Sequence, residues 1–347
     1  MESNTIDFFS NDYLGFARNI EIKNRAEKLL EKEIIQKKGV QINGSTGSRL
    51  LSGNSSLAAL LEAQLANHYK AESCLLYNAG YTANLGLLSC LAERVDTYVY
   101  DEYSHASIRD GINLSNAKKL KFKHNDVEDL THKLKLAKGN TFVIVESIYS
   151  MDGDRAPLVE ISKCCRSFGA LLIVDEAHST GIIGLQGEGA VVSLNLQDVV
   201  FARVHTFGKA IGVHGAAVVG SKTLKEYLVN FSRPFIYTTG NSSHDIVSLM
   251  AAHEYLQTAK QERSALKRNI DHLNVKLNRE IGDSPILSLI IPGNKNVKEV
   301  ADRLENLGFG VRPILSPTVP EGTERLRICL HAFNTENQID ALLNAIG

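Results

Sequence analysis

The 347-residue chain has no uninterrupted apolar run long enough to cross a membrane as a helix. It has no excess of charge either. Its 38 basic and 39 acidic residues nearly cancel, so no strong field argues for nucleic acid or an anionic membrane as partner. None of the five cysteines stands in a CxxC pair, and an odd number does not make a disulfide framework. Cys164 and Cys165, adjacent in an expected helix, read as structural. The start, "MESNTIDFFSNDYLG", lacks the basic and apolar stretches of a signal peptide. A reducing cytoplasm is therefore the expected compartment. Low-complexity tracts and fixed-period repeats are absent as well.

Several common ligand motifs are also missing. "DEAH" at 175–178 would mark a nucleotide-driven motor only beside a G-x-x-x-x-G-K-[ST] loop. The Gly208–Lys209 dipeptide is followed by Ala210 and has Arg203 where the first glycine belongs, so that reading fails. "GEGAVV" at 187–192 lacks the third glycine of a dinucleotide fingerprint and follows a turn rather than a strand. His105, His124, His178, His205 and His214 show no zinc-like spacing, so no metal site is expected.

What is present is an alternation of strand-like and helical stretches, the pattern of βαβ units around a mainly parallel sheet. Strands are expected at 97–100, 141–147, 170–176, 198–203 and 216–221, β-branched on both parities as in a sheet covered on both faces. Helices are expected over about 54–69, 81–92, 126–137, 157–168 and 222–230, and one long helical stretch over about 243–280. A strand at 286–292, a helix, "FGVRPI", "RLRICLH" (325–331) and a terminal helix then form a mixed set. The expected organisation is an N-terminal segment 1–20, a large α/β domain 21–245 and a smaller C-terminal α+β domain 246–347.

Asp175 and His178 lie at the carboxyl end of a buried strand, where open α/β sheets bind ligands, although a strand-end Asp also caps turns. Lys209 sits in "HTFGKAIG", a cramped glycine-flanked turn between two strand-like runs. A lysine that forms a Schiff base must be partly desolvated, so that its amine is neutral. Pyridoxal 5'-phosphate further requires a carboxylate at its ring nitrogen, donors for its phosphate and a partner for its ring face. Asp175 offers the first and the loop-to-helix start at Gly80, Tyr81 and Thr82 the second. His105, in "DEYSHASIRDG", offers the third. Each alone has a bland alternative; their joint occurrence favours the cofactor.

The motifs "SNDYLG" (10–15), "GSTGSRLLSGN" (44–54), "GYTAN" (80–84), "HAS" (105–107) and "ESIYSMDGD" (146–154) are joined by three more. These are "VDEAHSTG" (174–181), "TFGKAIGVHGA" (206–216) and "PTVPEGTERLRICLHAFNT" (317–335). With them the sequence resembles the α-oxoamine synthases, fold-type-I pyridoxal-phosphate enzymes, over nearly its whole length. The resemblance implies that Lys209 is the covalent anchor of the cofactor and that Asp175 pairs with its ring nitrogen. It places His178 and Ser150 around the phenolic oxygen and His105 over the ring. Gly80, Tyr81 and Thr206 would hold the phosphate, joined in a homodimer by Thr238 or Thr239 of the partner subunit. Asn11 and Arg327 would grip an amino-acid carboxylate.

The implied reaction is a decarboxylating condensation of an amino acid with an acyl thioester. "SNDYLG" and "RPILSPTVPEGTERLR" point to L-alanine and a pimeloyl thioester, on coenzyme A or acyl carrier protein. Members acting on glycine or serine share every cofactor residue named, and that alternative stays open. A non-catalytic member of the fold would be expected to lack the lysine. Two departures stand out. The chain begins close to "SNDYLG", so the N-terminal segment usual in the family is expected to be shortened, and "GNSS" (240–243) replaces a small residue and two prolines after the threonine pair.

Overall fold

The computed structural model describes residues 5–36, 41–278 and 282–346. From the amino terminus run β1 (Ile6–Asp7), α1 (Ile20–Gln36), α2 (Ser56–His68), β2 (Ser73–Tyr77), α3 (Gly80–Leu91), β3 (Thr97–Asp101) and α4 (Ala106–Leu114). Then come β4 (Lys118–Phe122), α5 (Val127–Leu136), β5 (Thr141–Glu146), α6 (Leu158–Phe168), β6 (Leu171–Asp175), α7 (Ala190–Ser193), β7 (Ala202–Thr206) and β8 (Ala216–Gly220). The chain continues with α8 (Lys222–Phe231), α9 (Arg233–Ile236), α10 (Ser243–Thr258), α11 (Lys260–Leu277) and β9 (Ile286–Ile290). It ends with α12 (Asn294–Asn306), β10 (Phe309–Gly310), β11 (Arg312–Ile314), β12 (Arg325–Cys329) and α13 (Glu336–Ile346). Contacts divide the chain into a larger unit, Phe16–Ser147 with Ala156–Thr258, and a smaller one of the residues up to Gly15, Ile148–Arg155 and the residues from Ala259 onward.

The larger unit is built on a seven-stranded sheet in the order β2-β8-β7-β6-β5-β3-β4. The pairs from β7 to β4 are parallel, and β8 runs antiparallel to both of its neighbours. Burial explains the composition: Phe142 to Val145 and Leu172 to Val174 are buried without alternation, as strands covered on both faces must be. Each fully buried aliphatic side chain there contributes roughly 1.5–3 kcal/mol. Tyr77, Leu87, Ile108 and Val204 join the same apolar cluster, which pins α3 and α4 to the sheet.

Some elements depart from expectation. β7 starts at Ala202 rather than 198, because the Val199 and Val200 N–H groups both turn back to the Leu196 carbonyl. The parallel ladder takes over only with the Phe201 N–H on Leu172. β2, β4, α1 and α4 are additions. β4, "KKLKF", is an edge strand whose exposed lysines mask the strand pattern and guard the edge. The stretch 243–280 is two helices, α10 and α11, parted at Ala259. There the Thr258 hydroxyl donates back to the Tyr255 carbonyl at 2.9 Å.

Strand order reverses between β3 and β5: the chain steps outward from β3 to β4, then returns past β3 to lay down β5, β6 and β7 in the other direction. A crevice for ligand opens at the carboxyl ends of strands where such a reversal occurs. β2 runs in the same direction as the parallel set, since both flank antiparallel β8. The start of α3, the β3–α4 connection, the ends of β5 and β6, and the β7–β8 turn therefore share one edge.

In the smaller unit, β11, β12 and β9 form an antiparallel sheet with β12 central. The N-terminal segment belongs here: Ile6 pairs with Phe309, and the Phe8 carbonyl accepts the Cys329 N–H at 2.8 Å. Among the described residues no helix is long and apolar enough to cross a membrane.

Candidate active site

Lys209 lies in the turn from β7 to β8. Phe207, Ala210 and Ile211 around it are buried, and the turn closes with the Gly212 N–H on the Lys209 carbonyl. Gly212, at φ +70 and with Ala17 N only 2.3 Å from where a Cβ would stand, is the glycine this turn requires. A Cβ on Gly208 would meet nothing within 4 Å. The half-buried Lys209 Nζ lies 2.8 Å from His178 Nε2.

The "DEAH" turn divides its labour. Glu176 is fully buried and accepts the Ala190 and Val191 N–H groups at 2.8 Å each, capping α7. Asp175 faces the edge. Its Oδ1 accepts the Ala177 N–H at 2.9 Å and its Oδ2 accepts Asn84 Nδ2 at 2.7 Å. Asn84 also donates to the Ser107 hydroxyl at 3.0 Å. His105 is the N-cap of α4, with its Nδ1 taking the Ser107 N–H at 3.2 Å and lying 2.8 Å from the Ser107 hydroxyl. His105 is exposed, yet partial desolvation of its ring lowers its pKa, opposed by Asp175 and helped by Lys209. The imidazole is thereby favoured in its neutral form, which can stack on an aromatic ring without adding positive charge beside it.

At the start of α3 the first N–H groups have no partner within the helix. The Thr82 hydroxyl caps this end on both sides, accepting the Ala79 N–H at 3.2 Å and donating to the Ala79 carbonyl at 2.8 Å. A Cβ on Gly80 would stand 2.2 Å from Thr206 Oγ1, so the Thr206 hydroxyl lies against Gly80 at the helix's positive end. The Tyr81 hydroxyl is turned outward and bonds Asp110. Thr239 is tied within its own chain: its carbonyl accepts Asn78 Nδ2 at 3.1 Å and it bridges to Ser48, while Thr238 beside it is half-buried.

In the smaller unit, Arg327 on β12 is 8 % exposed and its guanidinium is held by neutral groups. Nε donates to the Ser150 carbonyl at 2.6 Å, Nη2 to Asn11 Oδ1 at 3.0 Å and Nη1 to Cys329 Sγ at 3.0 Å. The Tyr13 hydroxyl also donates to Asn11 Oδ1, at 3.0 Å, which fixes that amide. Two residues away, the equally buried Arg325 pairs with Asp152. Among the described residues no carboxylate makes such a pair with Arg327. A buried, oriented guanidinium held by neutral groups is suited to receive an anion, because burial of an uncompensated charge is costly.

Asn84, Glu146 and Tyr13 carry contacts at these sites that sequence reasoning did not single out. Asn84 lies inside the recognisable "GYTAN" and Glu146 opens "ESIYSMDGD". The signal was thus present, but neither role shows until the strands are paired.

The model of the aminotransferase class I and II family matches residues 3–346. The chain belongs to that family. Its sequence is 39% identical to the 8-amino-7-oxononanoate synthase of Emericella nidulans, over 100% of this chain and 90% of that protein. Among solved structures, a serine palmitoyltransferase from S. paucimobilis with bound PLP–myriocin is 30% identical and superposes with a TM-score of 0.90, covering 99% of this chain and 86% of that one. The 8-amino-7-oxononanoate synthase of Francisella tularensis is 28% identical with a TM-score of 0.83, covering 99% of this chain and 96% of that one. The likeness to α-oxoamine synthases and the fold-type-I architecture are both borne out.

Proposed function

We propose that this chain is a pyridoxal 5'-phosphate-dependent acyltransferase. It condenses L-alanine with a pimeloyl thioester, of coenzyme A or acyl carrier protein, with loss of carbon dioxide and free thiol. The product is 8-amino-7-oxononanoate, a precursor in biotin biosynthesis. The observation that carries this reading is the half-buried Lys209 amine beside His178, at the sheet edge where β6 presents Asp175.

The residues fit the cofactor. Gly80, Tyr81 and Thr206 would hold its phosphate and Asp175 its ring nitrogen. His105 would lie over the ring, and His178 and Ser150 beside the phenolic oxygen. Bound there, pyridoxal phosphate supplies an aldehyde and an electron sink for charge at the amino acid's α-carbon. Arg327 and Asn11 bind the substrate carboxylate and orient it. Lys209 Nζ takes the α-proton and later returns it, serving as both anchor and general base. Asn84 holds Asp175 in place, and partial desolvation favours the neutral form of His105. A cytoplasmic homodimer is part of the proposal, with Thr238 or Thr239 of the partner subunit reaching the phosphate. The free state of all five cysteines agrees with a reducing compartment.

A serine-using reading has one observation in its favour, the higher TM-score of the serine palmitoyltransferase structure. A TM-score reports backbone shape, which the whole family shares; the Emericella nidulans 8-amino-7-oxononanoate synthase, at 39% identity, is nearer in sequence than this serine palmitoyltransferase, at 30%. The deciding experiment offers L-alanine, glycine and L-serine with pimeloyl, acetyl and palmitoyl thioesters and follows thiol release. Alanine with pimeloyl should be turned over with the highest kcat/KM, and preference for serine with palmitoyl would overturn the assignment.

Three variants probe the parts. Gly80→Ala, by driving a Cβ into Thr206 Oγ1, should raise the apparent Kd for pyridoxal phosphate about tenfold in a spectroscopic titration. Arg327→Ala should raise the alanine KM roughly 10- to 100-fold, the range for charge-assisted hydrogen bonds worth about 1.5–3 kcal/mol. Arg327→Lys should recover only part of this, because an ammonium cannot make the planar fork. An effect confined to the acyl donor would remove the carboxylate role.

A further inference from the structure

Glu146 ends β5 with its side chain only 3 % exposed. Its register partner on the neighbouring strand is Asp175. Partners in register project to the same face of a sheet, so two carboxyl groups stand side by side at the carboxyl edge. Glu146 Oε1 accepts the backbone N–H of His105 at 2.6 Å, bridging the ends of β5 and β3 across the point where strand order reverses. The two Ser107 contacts fix the His105 ring, and Glu146 fixes its backbone.

We propose that Glu146 is a positioning residue, a neutral carboxylic acid that holds His105 at the crevice while Asp175 beside it supplies the carboxylate. Desolvation and like charge both disfavour a second anion here. The groups acting on Glu146 are Asp175 on β6, His105 at the N-cap of α4, Lys209 beyond β7 and Asp101 on β3. Burial first, then Asp175, push its carboxyl up to about 8, against partial offsets from the His105 N–H and Lys209; Asp101 adds to the rise. That value lies above the ordinary 4.5, so Glu146 takes up a proton on folding. The stabilising contribution is therefore complete below pH 4.5 and is lost as pH rises through about 8.

The role assigned to His105 rests on the cofactor reading above, whereas the protonation of Glu146 does not, and two measurements separate them. The first uses apoprotein: Tm is followed from pH 5 to 9 for the native chain and for Glu146→Gln, which keeps an oxygen acceptor but cannot ionise. The native chain should lose Tm with rising pH more steeply than the variant. Parallel curves would overturn the neutral acid. The second uses the reconstituted enzyme, comparing Glu146→Leu with Glu146→Gln. Leu should lower kcat about tenfold or more and alter the absorption and circular dichroism of the bound cofactor, with little change in the alanine KM. Gln should recover most of the lost kcat and the native spectrum. Equal loss in both variants, with native Tm for the Gln form at pH 6, would show that the charge is needed and overturn the proposal. If the native protein itself failed to bind cofactor, the functional reading would fall while the apoprotein result stood.

Discussion

Lys209→Ala is expected to abolish turnover and the visible absorption that pyridoxal phosphate gives when the native protein is reconstituted. A positioned general base contributes roughly 10²–10⁴-fold, and here the same group is also the covalent anchor. The loss in thiol release should therefore be on the order of 10⁴-fold or more. The fold should survive. The Lys209 side chain is half-buried and borders His178, while the turn is held by backbone bonds between Phe207 and Gly215 and between Val213 and Phe207. Turnover within tenfold of native, with the yellow form retained, would sink the assignment of Lys209.

Asp175→Asn should cost roughly 10²–10³-fold in kcat, the scale of removing one preorganised electrostatic contact. A neutral amide cannot hold a ring nitrogen in its protonated, electron-accepting form. The local network sharpens the expectation. If the new amide oxygen stays on the Ala177 N–H, its NH₂ confronts the NH₂ of Asn84, donor against donor. Turning Asn84 over relieves that clash and places its oxygen against the Ser107 hydroxyl, which must then reverse its own bond to the His105 ring. The variant should thus show a small fall in Tm and an altered cofactor spectrum beside the large fall in kcat. A kcat within threefold of native at pH 7 would remove Asp175 from its role.

Much of the larger unit could be read along the chain because its strands are covered on both faces. β5 and β6 are unbroken apolar runs and stand within a residue or so of where the pattern places them. Edge strands give no such signal: β4 spends its outward positions on lysine, and β2 follows α2 after only a short connection. β7 shows a related failure. Val199 and Val200 are as strand-like as the residues after them, and only pairing with β6 decides where the ladder begins.

The candidate site residues of each unit divide in the same way. Lys209, Asp175, His178, His105, Gly80 and Arg327 announce themselves through residue types whose chemistry is specific and whose flanks are distinctive. Asn84 and Glu146 do not, since an asparagine within a helix and a glutamate at a strand end are ordinary until their partners are known. Asn84 becomes the support of Asp175 only when α3 lies over β6. Glu146 becomes the support of His105 only when β5 inserts beside β3.

The family and the cofactor could be read from the chain alone, because they depend on motifs that are local in it. The sequence also determined the alternating α/β pattern, because burial on two faces leaves a mark on every residue of a strand. The tertiary structure alone decided which carboxyls stand side by side, which amide holds Asp175 and which of the turn glycines is obligatory. It likewise decided that, among the described residues, buried Arg325 pairs with a carboxylate while buried Arg327 does not. Those are properties of register and strand order, and a strand's neighbours are chosen by packing between segments far apart in the chain.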